Sequence, residues 1–142
     1  MRNKVLLRSL LCLALVAVLV AIYLPALAEE GTVSIASPAA GETVSGKVDI
    51  KGVAYTADPA KFAWYKVEYS VDNTTWVSVD SPYQHKTAVS TEATLATWDT
   101  STMPNATFWL KATVVDNTGN FVSSEPVMVT VANAAAAATT TP

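Results

Sequence analysis

His85 is the single histidine of the 142-residue chain, and the groups that could work with it, Asp80, Ser81 and Ser90, are neighbours in sequence rather than parts of a spaced motif. General base catalysis needs a nucleophile within hydrogen-bond reach of the imidazole and a third group to orient the ring. This spacing builds no such arrangement, so His85 is expected to be a solvated loop residue. One histidine among scattered carboxylates makes no zinc site. Asp58, Asp72 and Asp116 stand in loops or at strand ends without a D-x-D-x-D pattern. Asp116 with Asn117 and Asn120 reads as hairpin chemistry, and calcium is the alternative that acidic loops keep open. No catalytic residue, cofactor or metal is assigned, and the chain is read as a non-enzyme.

The aromatic residues offer another chemistry, since indole rings bind through stacking and large buried area. Across 62–71, Tyr65, Val67, Tyr69 and Val71 alternate with Trp64, Lys66, Glu68 and Ser70. Across 107–116, Phe108, Leu110, Ala112 and Val114 alternate with Trp109, Lys111, Thr113 and Val115. If the first set of each pair faces the core, Trp64 and Trp109 point outward on neighbouring strands, and Met128, between inward Val127 and Val129, joins them. Contiguous surface aromatics mark a contact surface. A glycan could stack on the indoles, with Tyr83 as a further contact, or another protein or a second copy could cover them. The competing reading is a bulge at Phe62 and Ala63 that returns Trp64 to the core.

The elements that must hold these residues are strands. Residues 1–28 read as a secretory signal peptide: Arg2, Lys4 and Arg8, an apolar run to Leu24, then Pro25 and an A-x-A site at Ala26 and Ala28. The alternative is an uncleaved membrane anchor, the one route to a membrane that the sequence offers. Cleavage leaves six lysines, no arginine and no cysteine against twelve acids, a net charge of −6. An acidic chain lacks the basic face that nucleic acid requires. Without cysteine, disulfides and thiolate chemistry are excluded. From Glu29 onward there are fifteen valines and eighteen threonines but two leucines. β-Branched residues suit a pleated sheet, so the domain at 29–133 is all-β. Strands are expected at 32–37, 47–55, 62–71, 76–79, 91–98, 107–116 and 121–131, with Pro126 interrupting the last. The Ala/Thr-rich end, 134–142, is expected to be a disordered tail.

In order along the chain stand Ser37-Pro38-x-x-Gly41, Val44-Ser45-Gly46-x-Val48-x-Ile50-x-Gly52, Val67-Glu68-Tyr69-Ser70-Val71-Asp72 with Trp76, Trp98-Asp99-Thr100, Pro104-Asn105-Ala106-Thr107 and Asp116-x-x-Gly119-Asn120. This punctuation resembles bacterial Ig-like domains of the fibronectin-III-like kind, over about residues 32–131. It is also similar to the C-terminal Ig-like domain of sulfite-oxidase-type molybdenum enzymes, whose catalytic chemistry is not carried over. The resemblance implies a seven-stranded antiparallel Ig-like sandwich and is nearly empty of function. Asn73 and Ala106 stand where the family usually has glycine, and only asparagine tolerates a left-handed turn well. Phe108 replaces a common tyrosine, which removes the tyrosine-corner hydrogen bond. The expected role is an exported, non-catalytic interaction or structural module of the bacterial surface or periplasm. The alternative is a carbohydrate-binding module using the exposed tryptophans.

Overall fold

The structure, a computed structural model, describes residues 31–134. The leader and the Ala/Thr tail lie outside the described residues. Within them the chain forms nine strands: β1 Gly31–Ser37, β2 Thr43–Val44, β3 Lys47–Thr56, β4 Phe62–Ser70, β5 Val77–Ser78, β6 Val89–Asp99, β7 Ala106–Asp116, β8 Phe121–Ser123 and β9 Val127–Val131. One 3-10 turn, Pro59–Lys61, is capped by the Asp58 side chain, which accepts from the Ala60 N–H at 3.0 Å.

Two sheets pack face to face. The smaller has the order β1-β3-β6, and the larger runs β2-β9-β7-β4-β5 with β8 also on β7. This is an all-β sandwich, consistent with a fibronectin-III-like arrangement. The count differs from the expected seven for two reasons. Pro126 and its neighbours break the last strand into β8 and β9, and Thr43–Val44 adds a short strand that pairs parallel to β9. The sandwich is therefore not wholly antiparallel.

Alternation places the core as the residue types dictate. Ile50 and Ala54 of β3, Val67 of β4, and Phe108, Leu110, Ala112 and Val114 of β7 are buried, and Trp98 of β6 lies among them. Trp98 stacks on Tyr69 and meets Phe108 edge-on, with centroids 5.4 and 5.5 Å apart. Gly52 of β3 is required by close approach, because a Cβ there would collide with the Ser34 carbonyl of β1.

One expectation fails at a turn. Val71 was expected inward but is 62% exposed, because β4 ends at Ser70 and Asp72 folds the chain back. The Asp72 carboxylate accepts from the Thr74 and Thr75 N–H groups at 2.8 and 2.7 Å, leaving Val71 outside the ladder. Asn73 takes the left-handed conformation there, with φ 57°. Ala106 needs none: it opens β7 opposite Val131 in extended conformation, so this turn differs from the family's glycine turn.

Candidate functional site

The outer face of the larger sheet is built by β4, β7, β8 and β9. Register fixes its rows. Phe121 pairs with Val115 and Val115 with Trp64; one step along, Ser123 pairs with Thr113 and Thr113 with Lys66; beyond them Lys111 pairs with Glu68. At the far end Met128 pairs with Trp109, and Trp109 with Ser70. The face thus has an apolar row at one end and the Met128–Trp109 pair, next to buried Ser70, at the other, with a polar belt between them.

The bulge considered for β4 exists, but it acts on the other aromatic. Phe62 pairs with Asp116 and Trp64 with Val115, so two steps on β4 match one on β7 and Ala63 is the extra residue. That offset sends Phe62 to the core and leaves Trp64 outward. Both tryptophans face out, as alternation implies. They do not form one platform. The strands are antiparallel and each tryptophan lies near the start of its own strand, so six residue pairs, about 20 Å of strand, separate them. Met128, 46% exposed, joins Trp109 and not Trp64.

Tyr83, 50% exposed, meets the Trp64 ring edge-on with centroids 6.2 Å apart, and so braces Trp64. Phe121 was missed by the sequence reading and is the most exposed large apolar side chain among those described, at 69%. It follows the Asp116–Asn120 turn in a three-residue strand, too short for alternation to reveal its direction. Together Trp64, Val115, Phe121, Gly119, Lys66, Glu68, Lys111, Thr113 and Ser123 line a groove of about 350 Å³.

The belt is internally paired. Lys66 donates to Glu68 at 2.7 Å, and the Thr113 and Ser123 hydroxyls share a hydrogen bond at 2.8 Å. Lys111 sets its ammonium over the Trp76 ring, 3.9 Å from the centroid, a cation-π contact that also orients the indole.

His85 is not the solvated loop residue expected. Its ring stacks on Tyr65 at 4.7 Å, its Nε2 lies 3.0 Å from Asp80 Oδ2, and its backbone exchanges two hydrogen bonds with Tyr65. These contacts fasten the segment around His85 along the part of the β4 edge that β5 leaves uncovered. Among the described residues the hydrogen-bond partner of the imidazole is Asp80. Asp72 and Asp116 spend their oxygens on turn N–H and hydroxyl groups. Among the described residues no group of three or more His, Cys, Asp or Glu side chains is placed to hold a metal.

No protein-family model matches the chain, and a search of curated proteins finds no match. Fourteen chains of solved structure do match. One is the endo-beta-1,4-mannanase from Thermotoga petrophila, with a TM-score of 0.50 and 15% identity over 75% of this chain. The likeness is one of fold. The chain spans about a fifth of the mannanase, 21% of its length. Another is a structure of the fibronectin(III)-like modules of Clostridium thermocellum CbhA, 27% identical, covering 70% of this chain and 94% of that one, with a TM-score of 0.39.

Proposed function

We propose that the chain is an exported, non-catalytic interaction module of the bacterial surface or periplasm, and that the outer face of the larger sheet is its contact surface. One observation carries this reading. That face holds Phe121, Val115, Trp64 and Tyr83 at one end and Met128 with Trp109 at the other, on the side turned away from the second sheet. Exposed apolar groups clustered this way are stabilised by a partner that removes them from water. Partners of this chemistry are another protein, a second copy or a cell-surface glycan. Nucleic acid is disfavoured by the acid excess, and a membrane would be reached only through an uncleaved leader. The likeness to sulfite-oxidase C-terminal domains adds no function to this reading.

A second reading, carbohydrate binding, is favoured by the groove, which sets aromatic walls beside paired polar groups. It moves the binding residues from a Trp64 and Trp109 pair to the Trp64 end.

Cosedimentation with insoluble cell-wall polysaccharide, run beside light scattering for self-association, tests the contact surface. Binding or self-association by the wild type should be lost in Phe121→Glu/Met128→Glu with an unchanged melting temperature. A signal that survives both substitutions would contradict it.

A further inference from the structure

We infer that the groove between Trp64 and Phe121 takes one pyranose unit of an uncharged glycan, edge-on, with the two rings against its faces. This rests on the contact-surface reading and gives that surface a ligand class.

Trp64 and Phe121 are second neighbours across the sheet, with Val115 between them. Two strand spacings put their backbones about 9.6 Å apart, room for one ring between two aromatic side chains. Valine is shorter than either neighbour and forms the floor. The edge of a ring seated there meets the next row, where Lys66, Thr113 and Ser123 stand in register with Glu68 and Lys111 beyond. The two belt rows hold donors and acceptors together: the Lys66 ammonium and the Ser123 hydroxyl, with the Thr113 hydroxyl and the Glu68 carboxylate largely buried beside them. Because Lys66 is already neutralised by Glu68 at 2.7 Å, the row asks for a hydroxyl-bearing edge rather than an anion. The acid excess of the whole chain, twelve carboxylates against nine basic groups, also works against a polyanion.

A pyranose has this division, with C–H faces for aromatic rings and hydroxyls around its rim. A flat aromatic ligand would satisfy the walls but leave the belt's remaining donor and acceptor capacity, beyond its internal pairs, without a partner. A volume near 350 Å³ is within the range of small-ligand sites and suits a single ring better than a folded partner loop. Tyr83 meets the Trp64 ring edge-on, with centroids 6.2 Å apart, and restricts its orientation.

The test is titration calorimetry of the purified protein with soluble manno-, cello- and xylo-oligosaccharides, and with an oligogalacturonate as the anionic counterpart. At least one neutral series should bind, and Trp64→Ser and Phe121→Ser should each weaken it about tenfold. Val71→Ser, on the turn outside the groove, should bind like wild type. Phe121 is the decisive position, because its side chain is mostly in water and its loss should leave the fold intact. Neutral binding that is indifferent to Phe121→Ser would overturn the clamp while leaving the sheet face as a contact surface. Binding of the oligogalacturonate alone would overturn the assignment of an uncharged ligand. Heat from no sugar at all, in a protein whose self-association is lost in Phe121→Glu/Met128→Glu, would overturn the glycan and assign the face to a second copy.

Discussion

The Tyr65 hydroxyl donates to the Leu95 carbonyl at 2.8 Å, joining β4 of one sheet to β6 of the other. Leu95 is the residue that the β3–β6 register leaves out, since Ile50 pairs with Ala96 and Lys51 with Thr94. A bulge frees a carbonyl inside the sandwich, and the phenol satisfies it. Burial raises the Tyr65 pKa, with the Asp80 charge adding to the effect, so the hydroxyl stays protonated and remains a donor. Tyr65→Phe should cost about 1–2 kcal/mol in urea unfolding, the penalty of one buried carbonyl left unpaired. An unchanged midpoint would show that the carbonyl finds another donor.

Acid should unfold the domain through its turns. The Thr118 hydroxyl, together with the Thr118 N–H and the Asn120 groups, holds Asp116 at about 2 against an ordinary 3.8. Hydrogen bonds from Thr75, Thr74 and Ser70 lower Asp72 further still. A depressed carboxylate contributes stability that is complete above its unfolded pKa and lost as pH falls through the folded one. The urea midpoint should therefore be level from neutral pH to about 5 and decline between about 4 and 2. Asp116→Asn should flatten part of that decline and lower the neutral-pH midpoint. An equally steep acid limb in the variant would remove Asp116 from the account.

The fold was legible because the β-branched composition and period-2 alternation in 47–55, 62–71 and 107–116 express, Val71 apart, the same inward faces that the structure buries. Alternation also gave the outward direction of Trp64 and Trp109. It could not give their separation, which depends on antiparallel register, a relationship between strands that no single strand encodes. The bulge at Ala63 was visible as a possibility, yet which of Phe62 and Trp64 it would redirect depended on Asp116 and Val115 across the ladder. His85 was misread for a similar reason: the Tyr65 ring and backbone that hold it lie twenty residues away in sequence. Phe121 escaped notice because a three-residue strand carries no period.

Asn133, the last residue assigned to the domain from sequence, proves to be a clasp. Its Oδ1 accepts from the Gly46 N–H at 3.1 Å, and its Nδ2 donates to the Thr100 and Met103 carbonyls at 2.6 and 3.1 Å. Asn105 closes the arrangement by bonding the Asn133 backbone in both directions. Asn133→Ala takes the side-chain partner from the Gly46 N–H and the Met103 carbonyl, while the Thr100 carbonyl keeps the Met103 N–H at 2.9 Å, and should cost about 1–3 kcal/mol by chemical denaturation. Truncation before residue 133 should do the same.

Trp98 and Phe121 should separate core from surface. Trp98 is fully enclosed by Tyr69, Phe108 and the β3–β6 layer, so Trp98→Ala should cost about 3–5 kcal/mol. Phe121→Ser removes a side chain that is mostly in water and should change stability by less than about 0.5 kcal/mol. Comparable losses at the two positions would mean that Phe121 packs in solution and is not free to meet a ligand.

The contact surface itself is tested most directly by hydroxyl-radical footprinting, read residue by residue, with and without the insoluble polysaccharide or at concentrations on either side of self-association. Phe121, Trp64 and Tyr83 should lose reactivity when the partner is present, Met128 and Trp109 should follow if the partner spans the belt, and Val71 should not change. Protection confined to the β1-β3-β6 sheet, with Phe121 and Trp64 as reactive as in the isolated protein, would contradict the account.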